Sequence, residues 1–291
     1  MECILNQVDP QFDSTQGFSY RLSILLCQDG FSFFVTHSIS NKALKLVFYT
    51  IANAGIQQGD MGGWPVDGHD YFEQLKKAGF HQQSYHKVDI AVSSFKITTA
   101  PHDFFEFGNK KNIMAAAHTV SEDEVILTEP VYDLGPVTAI LVPAYIREYC
   151  EKLFPGSWLR SAPAVFVKGV VHQYAKLIAR QIFLNIHRGY FEIVIIQGSR
   201  LLYLNAFKYS SPSDVLYYVI FVLEQLGFVP SEEKITLMGE NSEIEIICSQ
   251  LKMYCASLSY AERPGEISFS EAFSGIALHQ YFTLINIPVC E

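Results

Sequence analysis

Residues 191–207 read FEIVIIQGSRLLYLNAF, two apolar runs separated by Gly198-Ser199. Both runs are short and rich in β-branched and aromatic side chains. Runs of this kind, bounded by Gly and Ser, are expected as strands buried on both faces. A Gly-Ser pair between them suits a tight hairpin turn, where one residue needs positive φ. Ser211-Pro212-Ser213-Asp214 then has the order of a helix start. It supplies a capping hydroxyl, a proline at the first helical position and a carboxylate at the positive end. The helix that follows is apolar nearly all round up to Leu226, so it is expected to be largely buried, and Gly227 ends it. Residues 234–238 (KITLM) form a further strand that stops at Gly239-Glu240-Asn241. Ser242 and Glu245 make a capping box for a last helix, whose apolar stripe runs from Ile244 through Cys255 to Leu258.

Working upstream, residues 21–27 and 31–38 are strands joined by Gln28-Asp29-Gly30, and residues 42–51 are a third. Asp-Gly between apolar runs is a strong hairpin signal. Residues 57–68 (QQGDMGGWPVDG) form a Gly-rich loop in which Trp64 either closes over the domain edge or anchors a partner. Asp70 and Glu73 cap a short helix that ends near Gly79. The pattern turns irregular over 84–131, with a strand at 90–98, a helix from Pro101 to His118 and a strand at 124–128, as an inserted subdomain would. Residues 138–142 are a strand, Pro143 opens a helix, and 158–160 are a short strand. Val171, Tyr174, Ala175, Ile178 and Ile182 have the spacing of a long amphipathic helix that ends by Gly189. Residues 1–19 read as an arm or peripheral strand, and 265–291 as short helices.

At 291 residues the chain has room for two domains, and with 49% hydrophobic and 18% charged residues it can build a large core. The net charge of −9, with no basic run longer than a pair such as Lys110-Lys111, argues against nucleic acid, because phosphate contacts need clustered cations. No stretch has the length and apolarity of a membrane span, and the first 16 residues lack the features of a signal peptide. The six cysteines show no CxxC or Cys/His spacing, so they are expected to be reduced thiols in a cytoplasmic protein.

ILLCQDGFSFFV at 24–35 and VIIQGSRLLYL at 194–204 share a plan of apolar strand, Gln-and-Gly turn and apolar strand. Each opens a half of the chain, which suggests a duplication. The expected fold is α/β, with mixed sheets flanked by helices. The first domain spans 1–187, with an inserted subdomain near 84–131, and the second spans 188–291. This plan resembles the actin-like ATPase fold, two ribonuclease H-like domains around a cleft. More closely, the chain resembles a family of uncharacterised bacterial proteins known only as a domain of unknown function. The resemblance is carried by Leu204-Asn205-Ala206-Phe207, Asp214-Val215-Leu216-Tyr217-Tyr218 and Leu223-Glu224-Gln225-Leu226-Gly227. Leu237-Met238-Gly239-Glu240, the helix start at Val142-Pro143, Leu153-Phe154-Pro155 and the terminal Cys290-Glu291 add to it. These motifs are structural, and they imply an actin-like fold without an assigned activity.

Proteins of that fold hold Mg-ATP between the domains. Glycines let backbone N–H groups approach phosphate, and carboxylates hold the metal. The resemblance makes Asp29 and Gly30, Gly198 and Ser199, and Gly239 and Glu240 the candidate cleft loops. Asp29 could place a metal, although Asp-Gly is also ordinary turn chemistry. The Gly198-Ser199 turn carries no carboxylate, and a helix N-terminus accounts for Gly239-Glu240-Asn241. No GxxxxGK[ST], GxSxG or HExxH motif occurs, and no catalytic or metal residues are assigned. The sequence therefore points to a non-catalytic cytoplasmic scaffold or binding protein with a degenerate cleft, working through a protein partner or self-association. The alternative is an ATP- or GTP-binding protein, or an ATPase, that uses the same cleft.

Overall fold

The computed structural model describes residues 1–51, 63–65, 68–107, 109–132, 135–239 and 243–290. Up to its middle the chain forms β1 (Glu2–Val8), β2 (Tyr20–Cys27), β3 (Gly30–His37), β4 (Ala43–Thr50), α1 (His69–Lys77), β5 (Lys87–Val92) and β6 (Ile97–Ala100). Next come α2 (His102–Phe107), α3 (Lys110–Ala115), β7 (Glu124–Pro130), β8 (Val137–Pro143), α4 (Ala144–Leu153), β9 (Trp158–Ser161) and α5 (Ala162–Tyr174). The remainder forms β10 (Arg180–Ile186), β11 (Tyr190–Gln197), β12 (Arg200–Lys208), α6 (Pro212–Gln225), β13 (Lys234–Met238), α7 (Ile244–Leu251), β14 (Ser257–Tyr260) and α8 (Phe282–Asn286).

One sheet has the order β1-β4-β3-β2-β5-β9, another β12-β11-β10-β13-β14, and a small one β6-β8-β7. Apart from the edge strand β1, the two large sheets share one plan. An antiparallel meander (β2-β3-β4, or β10-β11-β12) continues from its first strand into two parallel neighbours. The halves are therefore copies in topology, but the register differs from the one read in the sequence. The hairpin that matches β2–β3 is β10–β11, so the counterpart of Gln28-Asp29 is His187-Arg188-Gly189. The Gly198-Ser199 turn matches the link between β3 and β4.

The cause is the span 171–186. It was expected to be helical through Ile182, yet α5 ends at Tyr174 and β10 begins at Arg180. From Ile182 to Ile186 every residue is buried, Asn185 included, and a run without polar alternation carries no period of its own. A similar shift affects the last stripe. Helix α7 stops at Leu251, and Leu258 lies in β14, paired in parallel with Ile235 of β13. The expected strand at 90–98 is two strands, β5 in the large sheet and β6 in the small one. The helix expected from Pro101 to His118 is also two, because Asn109 caps α3, accepting from the Lys111 N–H at 2.9 Å. The start of α6 is as expected, with Asp214 Oδ2 accepting from the Ser210 and Ser211 N–H groups at 2.8 and 2.9 Å. Trp64 closes over the domain edge, donating from Nε1 to Ser93 O at 3.2 Å beside the Tyr71 ring. Met61, Gly62 and most of the Gly-rich loop lie outside the described residues, as does Ser242 of the expected capping box.

Helices α1 and α4 cover one face of the first sheet through Phe72, Leu75 and Ile146. Helices α6 and α7 cover one face of the second through Val219, Leu223 and Ile247. The inner faces share a layer. Val165 of α5 packs with Phe34 and Leu46 of the first sheet, and Phe166, Val167 and Val170 pack with Phe183 and Val194 of the second. This double contact explains why α5 is apolar nearly all round. Helix α8 enters the same layer, with the Phe282 ring edge-on to Phe166 at 6.1 Å.

A buried ionic fastener holds the end of the chain. Arg160 donates to Glu129 Oε1 from Nη2 at 2.6 Å and from Nε at 3.1 Å. It also donates to Cys290 O at 2.6 Å and to Ile287 O at 3.2 Å. Lys168 Nζ donates to Glu129 Oε1 at 2.8 Å, and the Ser161 N–H donates to Oε2 at 3.0 Å. Among the described residues no helix is long and apolar enough to cross a membrane.

Candidate functional site

The shared topology brings the β2–β3 and β10–β11 hairpin ends into one cavity. Its lining includes Gln28 and Asp29 from the first hairpin, and His187, Arg188 and Tyr190 from the second. Gly239, at the end of β13, and Tyr281 and Thr283, at the start of α8, close it.

The first hairpin is tightly held. A Cβ on Gly30 would lie 2.2 Å from Tyr49 O, so only glycine allows β4 to approach here. The Tyr71 hydroxyl of α1 sits 2.8 Å from Gly30 O and 3.0 Å from Cys27 O and can donate to either. The Ile51 N–H donates to Asp29 O at 2.8 Å. Burial holds the Asp29 carboxyl above the usual range, opposed only in part by a hydrogen bond from its own backbone N–H and by the charges of His187 and Arg188.

The second hairpin turns through three residues, with Gly189 at φ +81°. The His187 ring stacks on Tyr190, with centroids 4.4 Å apart. Below it, cross-strand partners Asn185 and Glu192 form a buried polar network. Asn185 Nδ2 donates to Glu192 Oε2 at 2.7 Å and reaches Thr283 Oγ1 at 3.4 Å. His187 Nε2 lies 2.9 Å from Asn185 Nδ2 and 3.3 Å from Glu192 Oε2. These contacts orient the imidazole and tie the hairpin to α8.

Gly239 has φ +93°, and a Cβ there would lie 2.2 Å from Ile186 O. Its N–H donates to His279 O at 3.1 Å, so the segment before α8 occupies this backbone donor. The His279 ring stacks on Tyr260 at 4.2 Å, and burial lowers its affinity for a proton.

Of the residues singled out in the sequence, Asp29 and Gly239 line the cavity, and Gly30 shapes the turn beside Asp29. Gly198 and Ser199 do not line it. They terminate β11 at the end opposite Tyr190, about 24 Å away at 3.4 Å per residue. Glu240 lies outside the described residues. Sequence reasoning missed His187, Arg188, Tyr190 and Asn185. The signal was present, because His187-Arg188-Gly189 is a three-residue loop with a terminal glycine between two apolar runs, a common hairpin form.

The cavity measures about 70 Å³. Among the described residues, no three His, Cys, Asp or Glu side chains group closely enough to hold a metal ion.

Among solved structures, the chain is similar to a Bacteroides thetaiotaomicron VPI-5482 protein described as having an actin-like ATPase fold and unknown function. Identity is 18%, coverage 97% of this chain and 100% of that one, and the TM-score 0.76. It is also similar to a chain of the PilM-PilN type IV pilus biogenesis complex, with 11% identity, coverage of 92% and 97% and a TM-score of 0.69. The ethanolamine utilization protein EutJ of Carboxydothermus hydrogenoformans gives 10% identity, coverage of 98% and 93% and a TM-score of 0.51. No curated protein matches. The family described as "Protein of unknown function (DUF3822)" matches residues 9–258. The chain thus has the actin-like ATPase fold and belongs to the DUF3822 family.

Proposed function

We propose that the protein is a non-catalytic cytoplasmic binding scaffold on the actin-like frame, working through protein partners or copies of itself. The observation that carries this reading is the size of the cavity between the hairpins. Pockets for small molecules enclose about 300–1,000 Å³, and this one measures about 70 Å³. The tail helps to fill it, because α8 and the residues before it contribute Tyr281 and Thr283 and take up the Gly239 N–H. The PilM-PilN structure is a protein of similar fold in complex with a protein partner, which supports the same kind of role here. Burial raises the Cys150 and Cys290 thiols to about 12 and Cys255 to about 11, as suits inert structural thiols in a reducing compartment.

One observation favours the second reading, a Mg-ATP- or GTP-binding protein. Asp29, Arg188 and Gly239 converge on one cavity, and they offer a carboxylate for a metal, a cation for phosphate and a glycine for close approach. The sheets would have to separate to admit the ligand.

The melting temperature with and without millimolar Mg-ATP, and separately GTP, separates the two readings. A ligand at a hundred times its Kd adds about 2.7 kcal/mol, a rise of roughly 5–10 °C for a chain of this size. The scaffold reading expects no shift. A shift that is lost in Asp29→Ala and Arg188→Ala would overturn it, as would ATP hydrolysis that disappears in Asp29→Ala.

A further inference from the structure

The Gly198-Ser199 turn, which the cleft does not use, belongs to a different surface. It lies beside the loop of residues 175–179, since a Cβ on Gly198 would lie 3.8 Å from Ala175 O. That loop presents Leu177 at 55% exposure and Ile178 at 83%, between Lys176 and Arg180. These two adjacent aliphatic side chains form a small exposed apolar patch at the turn.

The far end of α6 reaches the same edge of the sheet. Strands β10 and β13 run parallel, with Ile182 opposite Ile235, so the segments before each strand share one end. Arg180 joins them. Its guanidinium lies 3.6 Å from the Phe228 ring centroid, and it forms an ion pair with Glu233. On the α6 side the exposed aliphatics are Leu226 and Val229, the latter at 51%. Between Tyr209 and Glu233 there are four carboxylates and no Lys or Arg, and Glu224 and Glu232 are exposed.

This end of the second sheet therefore has two sides. The α5 side offers Lys176, Leu177 and Ile178, with Arg200 of the adjacent turn also exposed. The α6 side offers Glu224, Leu226, Val229 and Glu232. Arg180 between them is already matched by Glu233, and Lys234 adds a positive charge midway along the sheet end. A surface with an aliphatic and cationic half beside an aliphatic and anionic half complements itself under a two-fold rotation. An isologous dimer needs that pattern, in which residue i meets j and j meets i.

We propose that this end of the second sheet is a homodimer interface, in which the Lys176–Ile178 tip of each copy docks on the Glu224–Val229 side of the other. A second copy fits better than an anionic lipid surface, because the tip cannot approach a membrane without bringing Glu224 and Glu232 toward it. The inference does not depend on whether the cleft takes nucleotide, so a failure of either reading leaves the other testable.

Sedimentation velocity on the full chain is the test. The patch is small, so a dimer is expected at about 100 μM and dissociation on dilution to about 1 μM. High salt should weaken it. Lys176→Glu and Glu224→Lys should each weaken association at least about tenfold, because each puts like charges across both copies of the contact. Mixing the two variants in equal amounts should restore the dimer, since both contacts in the mixed pair are again of opposite charge. Lys176, Ile178 and Glu224 are all exposed, so melting temperatures should match wild type, and Ile178→Ser should weaken association without unfolding. A monomer at every concentration overturns the proposal, including one that sediments with phosphatidylcholine/phosphatidylglycerol vesicles in an Ile178-dependent way. So does a dimer indifferent to the charge swaps, or one that mixing fails to restore.

Discussion

Replacing Arg160 with Met should destabilise the protein by about 3–5 kcal/mol, the cost of removing one partner of a buried ion pair. Arg160 is completely buried and makes four hydrogen bonds, two to Glu129 and one each to the carbonyls of Ile287 and Cys290. Met fills nearly the same volume, so loss of packing is a minor part of the effect. Glu129 is not orphaned, because Lys168 Nζ and the Ser161 N–H still donate to it. That holds the carboxylate's share toward the low end. Among the described residues no other donor reaches the Ile287 and Cys290 carbonyls, and a buried acceptor left unpaired costs about 1–3 kcal/mol. Urea unfolding measures the total. The midpoint should fall, and limited carboxypeptidase digestion should remove the segment after Ile287 faster than in wild type. In Glu129→Leu/Arg160→Met both charges are gone, so it should be less destabilised than the sum of the single changes. A loss below about 1 kcal/mol in Arg160→Met, with the tail still protected, would refute the claim that this arginine fastens the chain end.

Three further outcomes follow from the site and its frame. Burial raises the Asp29 carboxyl, so the folded state holds its proton more tightly than the unfolded state does. This favourable contribution is complete below about pH 3.8 and is lost as pH rises through the folded value. Asp29→Asn should therefore be more stable than wild type at neutral pH, with the gap closing as the solution is acidified; urea midpoints from pH 4 to 8 would show it. Gly239→Ala should cost roughly 2–5 kcal/mol, combining a strained φ with overlap against Ile186 O, whereas Gly198→Ala, at φ +58° with only an ordinary contact to Ala175 O, should cost only about 1 kcal/mol. Equal losses in thermal melts of the two variants would contradict the packing described at Gly239. Asp214→Ala removes the acceptor for two N–H groups at the start of α6 and should cost about 1 kcal/mol in urea unfolding, an effect that Asp214→Asn should largely avoid.

The parts of the fold legible in the sequence were those with local punctuation. Asp29-Gly30 marked the first hairpin because a tight turn needs residues of that kind, and Ser211-Pro212-Asp214 marked α6 because a helix start has to satisfy its own N–H groups. The misread part was β10. Its neighbours Val171, Tyr174, Ala175 and Ile178 have helical spacing, and Ile182–Ile186, buried on both faces, has none of the alternation that identifies a half-exposed strand. That one error moved the second hairpin by a strand and put Gly198-Ser199 where His187-Arg188-Gly189 belongs. The filling of the cleft by the tail was not legible at all. It depends on contacts across about 100 residues, such as Asn185 with Thr283, which leave no mark on either segment alone.

The corrected register changes what the cleft means. With the hairpins aligned by sheet order, the first half carries an acid at its tip, Asp29, and the second carries bases, His187 and Arg188. In a phosphate cradle both hairpins turn donors toward one shared anion. Here one hairpin supplies the negative charge itself, inside a cavity that already lowers the dielectric around it. A polyphosphate entering the cavity would meet the field of Asp29, and would have to outcompete the His279 carbonyl for the Gly239 N–H and displace the α8 contacts as well. The Gly239 N–H and the Asn185–Thr283 contact already join the second sheet to the segment that leads into and through α8.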